Sequence, residues 1–230
     1  MKYLVTGANR GLGLEFTTKL AERGDEVIAT CRSIAAAKEL QELAERSGGK
    51  VRLFEMDVAT PADNQKLAAF LEGQAVDVLI NNAGHYSKDN GPFDTIDFDG
   101  IMKDFAINAM GSLRVTQAAL PAIRRGGLKK IINISSKMGS IADNSGGGAY
   151  AYRMSKTALN MGSRSLAQDL KPEGITVLAV HPGWVVTDMG GPNGLVDTNE
   201  SINGLIKVID NAGLEQSGRF WDFRGEELPW

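Results

Sequence analysis

Short β-branched runs, apolar almost throughout, recur along the chain between stretches whose apolar residues fall three and four apart. The runs are YLVT, EVIATC, VRLFEM, VDVLIN, KKIINIS and ITVLAV. Continuous apolarity, in place of strict alternation, suits strands covered on both faces. Between them lie LGLEFTTKLAERG, IAAAKELQELAERSG, ADNQKLAAFLEG, the long IDFDGIMKDFAINAMGSLRVTQAALPAIRRGG and AYRMSKTALNMGSRSLAQDLKPEG, which often close on Gly or Pro, as helices do. The pattern predicts an α/β fold: a doubly wound, mostly parallel sheet with helices on both faces. No fixed-period repeat or linker interrupts it, and 230 residues with 43% hydrophobic content can bury one sizeable core, so residues 1–230 are expected to form a single domain. The glycine-rich residues 143–149 and the segment 190–199 are expected to be surface loops, of the kind that wall a site.

The first β-to-α turn reads TGANRGLG, with Gly7, Gly11 and Gly13 in a loop that also holds Asn9, Arg10 and Leu12. In a chain with 27 glycines such a cluster is weak evidence by itself, and a plain tight turn would use it too. Its position carries more weight. A strand feeding a glycine turn and a helix N-terminus presents unpaired backbone N–H groups and the positive end of a helix dipole, which together favour a pyrophosphate. At the end of the second strand an acidic residue would bind a ribose hydroxyl and repel a phosphate there. The sequence instead places Cys31 and then Arg32, and Arg10 projects from the glycine loop, so two guanidinium groups are expected to flank an adenosine phosphate. NADP is expected over NAD; the competing reading leaves both arginines as solvated surface residues.

Other classes find little support. A formal net charge of -3 leaves no positive excess to neutralise a phosphate backbone, so nucleic acid is not an expected partner. The single cysteine and the two histidines, His85 and His181, are too scattered to suggest a metal. No basic flank with a cleavable apolar region opens the sequence, and no run approaches the roughly 18 apolar residues that would cross a bilayer. A cytoplasmic protein without a membrane partner is expected. No G-x-S-x-G elbow supports a hydrolase.

The chemistry is expected around AYRMSKTALN. Of the four tyrosines only Tyr152 has a cationic residue four positions on, Lys156; for Tyr3, Tyr86 and Tyr150 that position holds Gly7, Asn90 and Met154. On a helix residues i and i+4 share a face, so the ammonium is expected to bring a phenol of ordinary pKa about 10 roughly one to three pH units toward neutrality. Such a phenol suits proton transfer. An exposed helix pair is the competing reading, weakened because KKIINIS ends in Ser135 and Ser136, and parallel sheets bind ligands beyond the carboxyl ends of their strands.

Taken in order, TGANRGLG, NNAG, INISSKMGS, YRMSK and HPGWVVTDM resemble the signature set of the short-chain dehydrogenase/reductase family, over nearly the whole chain. SSKMGSIADN and the closing GRFWDFRGEELPW are similar to its carbonyl-reductase-like group, which includes sniffer and C-factor-type proteins. The resemblance implies an NADP(H)-dependent aldehyde or ketone reductase. In it Tyr152 exchanges a proton with the carbonyl oxygen, Ser136 hydrogen-bonds that oxygen, Lys156 lowers the phenol's pKa and holds the nicotinamide ribose, and Asn108 holds a water for the proton relay. It also implies cofactor contacts: Asp57 and Val58 near adenine, Asn82, Ala83 and Gly84 along the ribose, and Pro182, Gly183, Val185 and Thr187 around the nicotinamide. His85, Tyr86, Trp184 and residues 189–196 are expected pocket walls for a small carbonyl or alcohol substrate, although core packing or an exposed loop would explain them equally. Tyr150 has no assigned chemistry, and Ser135 is open between strand end and site. By the same likeness the helices bearing Asn108 and Tyr152 are expected to pair subunits in a homodimer or homotetramer. A cofactor-binding regulatory or signalling protein with little turnover is the alternative, and a sugar-nucleotide epimerase fits less well for want of an extra substrate domain.

Overall fold

The computed structural model describes residues 1–88 and 91–230. Among them seven strands form one parallel sheet in the order β3-β2-β1-β4-β5-β6-β7. The strands are β1 (Lys2–Thr6), β2 (Glu26–Cys31), β3 (Val51–Glu55), β4 (Val78–Asn81), β5 (Lys130–Ile134), β6 (Thr176–His181) and β7 (Phe220–Asp222). Helices α1 (Gly11–Glu22), α2 (Lys38–Arg46), α3 (Pro61–Phe70), α4 (Phe98–Asp104), α5 (Ser112–Arg125), α6 (Tyr150–Leu170) and α7 (Thr198–Asn211) connect them. The order reverses between β1 and β4, which opens a crevice beyond the carboxyl ends of the strands.

Period-two side-chain direction divides each central strand between two cores. Tyr3 and Val5 of β1, Val78 and Ile80 of β4, and Leu178 and Val180 of β6 pack with Phe16, Leu20, Leu40 and Leu205 on the α1, α2 and α7 face. Leu4, Leu79, Ile131 and Val177 pack with Leu67, Val115, Ile123 and Ala167 on the α3, α5 and α6 face. Both faces of the central strands are therefore apolar, and the runs read as continuous. The edge strand β3 is covered less evenly, with Arg52 and Glu55 exposed. This is the doubly wound α/β architecture expected from the sequence, a Rossmann-like fold.

Three local features differ from the sequence reading. The second helix starts at Lys38, because the amide of Ile34 donates to Glu55 Oε2 and Ala37 N closes a turn on Ile34 O. The long fourth stretch is not one α-helix: a π-helical segment, Phe105–Gly111, separates α4 from α5. The last strand and α7 went unread, since three residues of β7 carry no periodic signal. No helix among the described residues is long and apolar enough to cross a membrane.

Candidate active site

Every residue singled out from the sequence lies on or beside a segment that follows the carboxyl end of a strand. The glycine turn follows β1, Arg32 follows β2, and Asp57 and Val58 follow β3; Asn82 to Gly84 follow β4, Ser136 follows β5, and Pro182 to Thr187 follow β6. Asn108 is delivered by the π-helical segment and Tyr152 and Lys156 by the start of α6.

The glycine turn is shaped by close approach. A Cβ on Gly13 would stand 2.2 Å from Gly7 O and 2.5 Å from Asn82 Nδ2. Asn82 clamps that turn, donating from Nδ2 to Thr6 O at 2.9 Å and to Gly7 O at 3.1 Å. Thr6 Oγ1 in turn accepts from the amides of Asn82 and Ala83, so β1 and β4 are locked where the crevice opens. The N-terminus of α1 carries neither a side-chain cap nor an acidic residue in its first turn. Its positive end therefore faces the crevice uncompensated, which is what a pyrophosphate requires.

Arg10 Nη1 reaches Asp188 Oδ2 at 2.8 Å, joining the glycine loop to the segment after β6. Both partners are exposed, so the pair is weak. Arg32 is exposed and has no ion-pair partner among the described residues. Asp57 closes its own turn, Oδ1 accepting from Ala59 N at 2.9 Å, and Val58 packs against Gly111. Thr187 lies 3.6 Å from where a Cβ of Gly11 would be, with its Oγ1 accepting from Gly190 N.

Ser135 and Ser136 separate cleanly. Ser135 Oγ donates to Asn160 Oδ1 at 2.5 Å and ties β5 to α6. Ser136 caps a single 3-10 turn, Lys137–Gly139, with Oγ accepting from Met138 N at 3.2 Å, and it also hydrogen-bonds the Tyr152 phenol. Gly139 lets this turn press on α6, since a Cβ there would meet Lys156 Cβ at 2.8 Å. Tyr152 and Lys156 share one face of α6 as their spacing implied. Tyr150 lies on another, its ring against Phe93 at 5.6 Å, and lines a cavity with Arg153, Met154 and Met161.

The electrostatics correct one expectation. Burial pushes the Tyr152 phenol up to about 12, and the charges of Asp104 and Tyr86 act the same way, against the lowering effect of the Ser136 hydrogen bond. Burial pushes Lys156 down to about 8. The phenol is thus not lowered by its lysine, because Lys156 Nζ is 5.6 Å from the ring centroid and donates to Ile134 O at 2.8 Å. Loss of hydration outweighs the neighbouring cation.

Asn108 bonds neither its own turn nor a single neighbour. Its Oδ1 accepts from His85 N at 2.7 Å, and its Nδ2 donates to His85 O and to Ser155 Oγ, both at 2.8 Å. It fastens the segment after β4 to α6, and brings Gly84 within reach of Asn108 and Lys156. Tyr86 lays its ring on that of Tyr152, centroids 4.9 Å apart. Trp184 is 51% exposed, and Met189 and Leu195 are exposed too. Sequence reasoning missed Asp104, whose carboxylate is fully buried 2.7 Å from His85 Nδ1. One signal was available: an acid within an apolar helical stretch, four residues before Asn108.

A parallel sheet with a glycine turn at its order reversal, and a serine, tyrosine and lysine gathered beside it, define a Rossmann-type oxidoreductase. Comparison with known proteins places it within that class. The chain belongs to the short chain dehydrogenase family, which matches residues 2–198 and whose members use a nicotinamide cofactor. It is similar to the C-signal of Myxococcus xanthus, 51% identical over 155 residues that cover 67% of this chain and 93% of that protein. It is also similar to the 1-hydroxy-2-glutathionyl-2-methyl-3-butene dehydrogenase of Rhodococcus sp. (strain AD45), at 34% over 99% of this chain and 98% of that one. Among solved structures, the carbonyl reductase Sniffer of D. melanogaster matches with a TM-score of 0.95 and 34% identity, covering 100% of this chain and 99% of that one. An NADPH-bound carbonyl reductase from chicken fatty liver matches at 0.93 and 35%, over 100% and 98%.

Proposed function

We propose that this protein is an NADP(H)-dependent carbonyl reductase that converts an aldehyde or ketone to its alcohol, with the reverse oxidation available. The observation that carries the reading is the convergence of Ser136, Tyr152 and Lys156 beside an uncapped helix N-terminus. A nicotinamide dinucleotide held there would supply the hydride. Tyr152 gives its phenolic proton to the carbonyl oxygen, and Ser136, already bonded to the phenol, offers that oxygen a second donor. Burial keeps the phenol protonated through neutral pH, the form that gives a proton to a carbonyl oxygen. Lys156 holds the nicotinamide ribose, and Asn108 keeps the Gly84 segment against it.

The turn of Gly7, Asn9, Arg10, Gly11, Leu12 and Gly13 would hold the cofactor's pyrophosphate, and Arg32 its adenosine phosphate. Asp57 and Val58 take the adenine, Asn82, Ala83 and Gly84 the ribose, and Pro182, Gly183, Val185 and Thr187 the nicotinamide. The NADPH in the chicken carbonyl reductase supports the choice of cofactor. Tyr86, Trp184, Met189 and Leu195 make an aromatic and apolar mouth suited to an apolar carbonyl compound. The chain works as one cytoplasmic domain. Met154 and Met161, exposed seven residues apart on α6, favour pairing of subunits into a homodimer or homotetramer through that helix.

The likeness to the C-signal of Myxococcus xanthus supports a second reading, a cofactor-binding signalling protein with little turnover. NADPH oxidation against a panel of aldehydes and ketones separates the two: steady turnover supports the reductase, and tight NADPH binding without turnover of any compound supports the other. Cofactor choice has its own test in titrations of NADPH and NADH followed by nicotinamide fluorescence. NADPH is expected to bind more tightly, and Arg32→Ala to cut that preference by about tenfold or more, the worth of one or two charge-assisted hydrogen bonds. An NADH preference in the wild type, or an unchanged ratio in the variant, removes Arg32 from the phosphate site.

A further inference from the structure

We propose that His85 and Asp104 form a charge-setting pair for Tyr152: a proton on the His85 imidazole cancels the buried Asp104 carboxylate and eases release of the phenolic proton to the carbonyl oxygen. The inference rests on the reductase reading above and adds to it a regulator of the same site.

Asp104 is the last residue of α4 and is wholly out of solvent. Its Oδ1 accepts from Ser87 Oγ at 2.7 Å and faces His85 Nδ1 at the same distance, and its Oδ2 accepts from Ser87 N at 3.3 Å. Among the described residues neither lysine nor arginine lies within ion-pair distance of it. A buried carboxylate without a counter-charge is costly, and the imidazole is the group placed to supply one. The carboxylate is sealed, whereas the His85 side chain is 30% exposed, so solvent reaches the pair from the histidine side.

The pair is joined to the catalytic tyrosine along two routes. His85 is bracketed by Asn108 through both its N–H and its C=O, and Asn108 continues to Ser155, whose Oγ donates to Tyr152 O at 2.8 Å. Tyr86, next in sequence, covers the Tyr152 ring. The charge of Asp104 reaches both members of the site, raising Tyr152 and opposing the fall of Lys156. The titratable groups facing the pair are Tyr152 and Lys156 from α6 and Tyr86 on its own segment. Lys88 and Lys103 are exposed, and Asp97 and Asp99 belong to the opposite end of α4. With His85 neutral, the charge of Asp104 opposes a phenolate at Tyr152; with His85 protonated, that charge is offset. His85 and Asp104 are thus positioning residues that act through Tyr152.

Two measurements test this on the full-length protein. Ionisation of Tyr152 is followed by near-ultraviolet phenolate absorbance as the difference between the protein and its Tyr152→Phe form. In Asp104→Asn it is expected about one pH unit lower than with Asp104 in place, a readout that needs no turnover. The second is the pH profile of kcat for carbonyl reduction with NADPH. A falling limb of about tenfold, the value of one pH unit, is expected as His85 loses its proton, and it is expected to vanish in His85→Gln. A phenol titration unmoved in Asp104→Asn, or a limb retained in His85→Gln, overturns the pair. If the titration moves but no carbonyl compound is reduced, the pair stands and the reductase reading falls.

Discussion

Tyr152→Phe is expected to lower kcat for carbonyl reduction by about 10²- to 10⁴-fold while leaving the fold and NADPH binding in place. The substitution removes one oxygen and no ring. The phenyl group keeps its place under Tyr86, with ring centroids now 4.9 Å apart, and Ser136 keeps its bond from Met138 N, so neither wall of the site has reason to shift. What disappears is the hydroxyl that Ser136 already hydrogen-bonds. Lys156 is buried, with Nζ donating to Ile134 O near the end of β5. Stopped-flow measurement of NADPH consumption, with NADPH affinity measured in parallel, separates loss of proton transfer from loss of binding. Residual turnover within about tenfold of wild type would assign the proton to another group, since general acid catalysis is worth more than that.

The site was legible in sequence wherever a residue's role follows from local spacing. Tyr152 and Lys156 share a helical face because they are four apart, and Ser136 meets them because it ends a parallel strand. The glycines of the first turn announce close backbone approach, which the contact between Gly13 and Gly7 requires. Long-range pairings were illegible for a physical reason. Arg10 is bound to Asp188, 178 residues away, and His85 to Asp104, 19 residues away; no periodicity couples such positions. The direction of the tyrosine's shift was misread because spacing reports a neighbour's charge but not the hydration both groups lose. The π-helical segment stayed hidden for a related cause: its residues satisfy an ordinary helical pattern, and only tertiary packing around Asn108 selects the wider turn.

His181 is expected to make the fold acid-labile in a window well above that of the carboxylates. It ends β6, and its Nδ1 is buried without a hydrogen-bond partner among the described residues. Burial pushes the imidazole down to about 4, with Lys137 acting in the same direction and Asp222 and Asp143 opposing. Above pH 6.5, the ordinary value, neither the folded nor the unfolded chain protonates this histidine, and it contributes nothing to pH dependence. As pH falls from 6.5 toward 4 the unfolded chain takes up a proton that the folded chain refuses, so stability drops across that interval and levels off below it. The full loss is roughly 3 kcal/mol, a large share of the 5–15 kcal/mol that holds a typical domain folded. Asp77 acts lower: although burial would raise it, the amides of Lys2, Gly127 and Leu128 hold it below the usual carboxylate range, and its contribution is lost only as pH falls through that range. Urea unfolding at closely spaced pH values distinguishes the two. His181→Gln, which cannot titrate, should flatten the curve between pH 6.5 and 4 and leave the steeper fall below it. A variant as acid-sensitive as wild type across that interval would show that the imidazole accepts its proton in the folded state, and that water or Asp222 reaches it there.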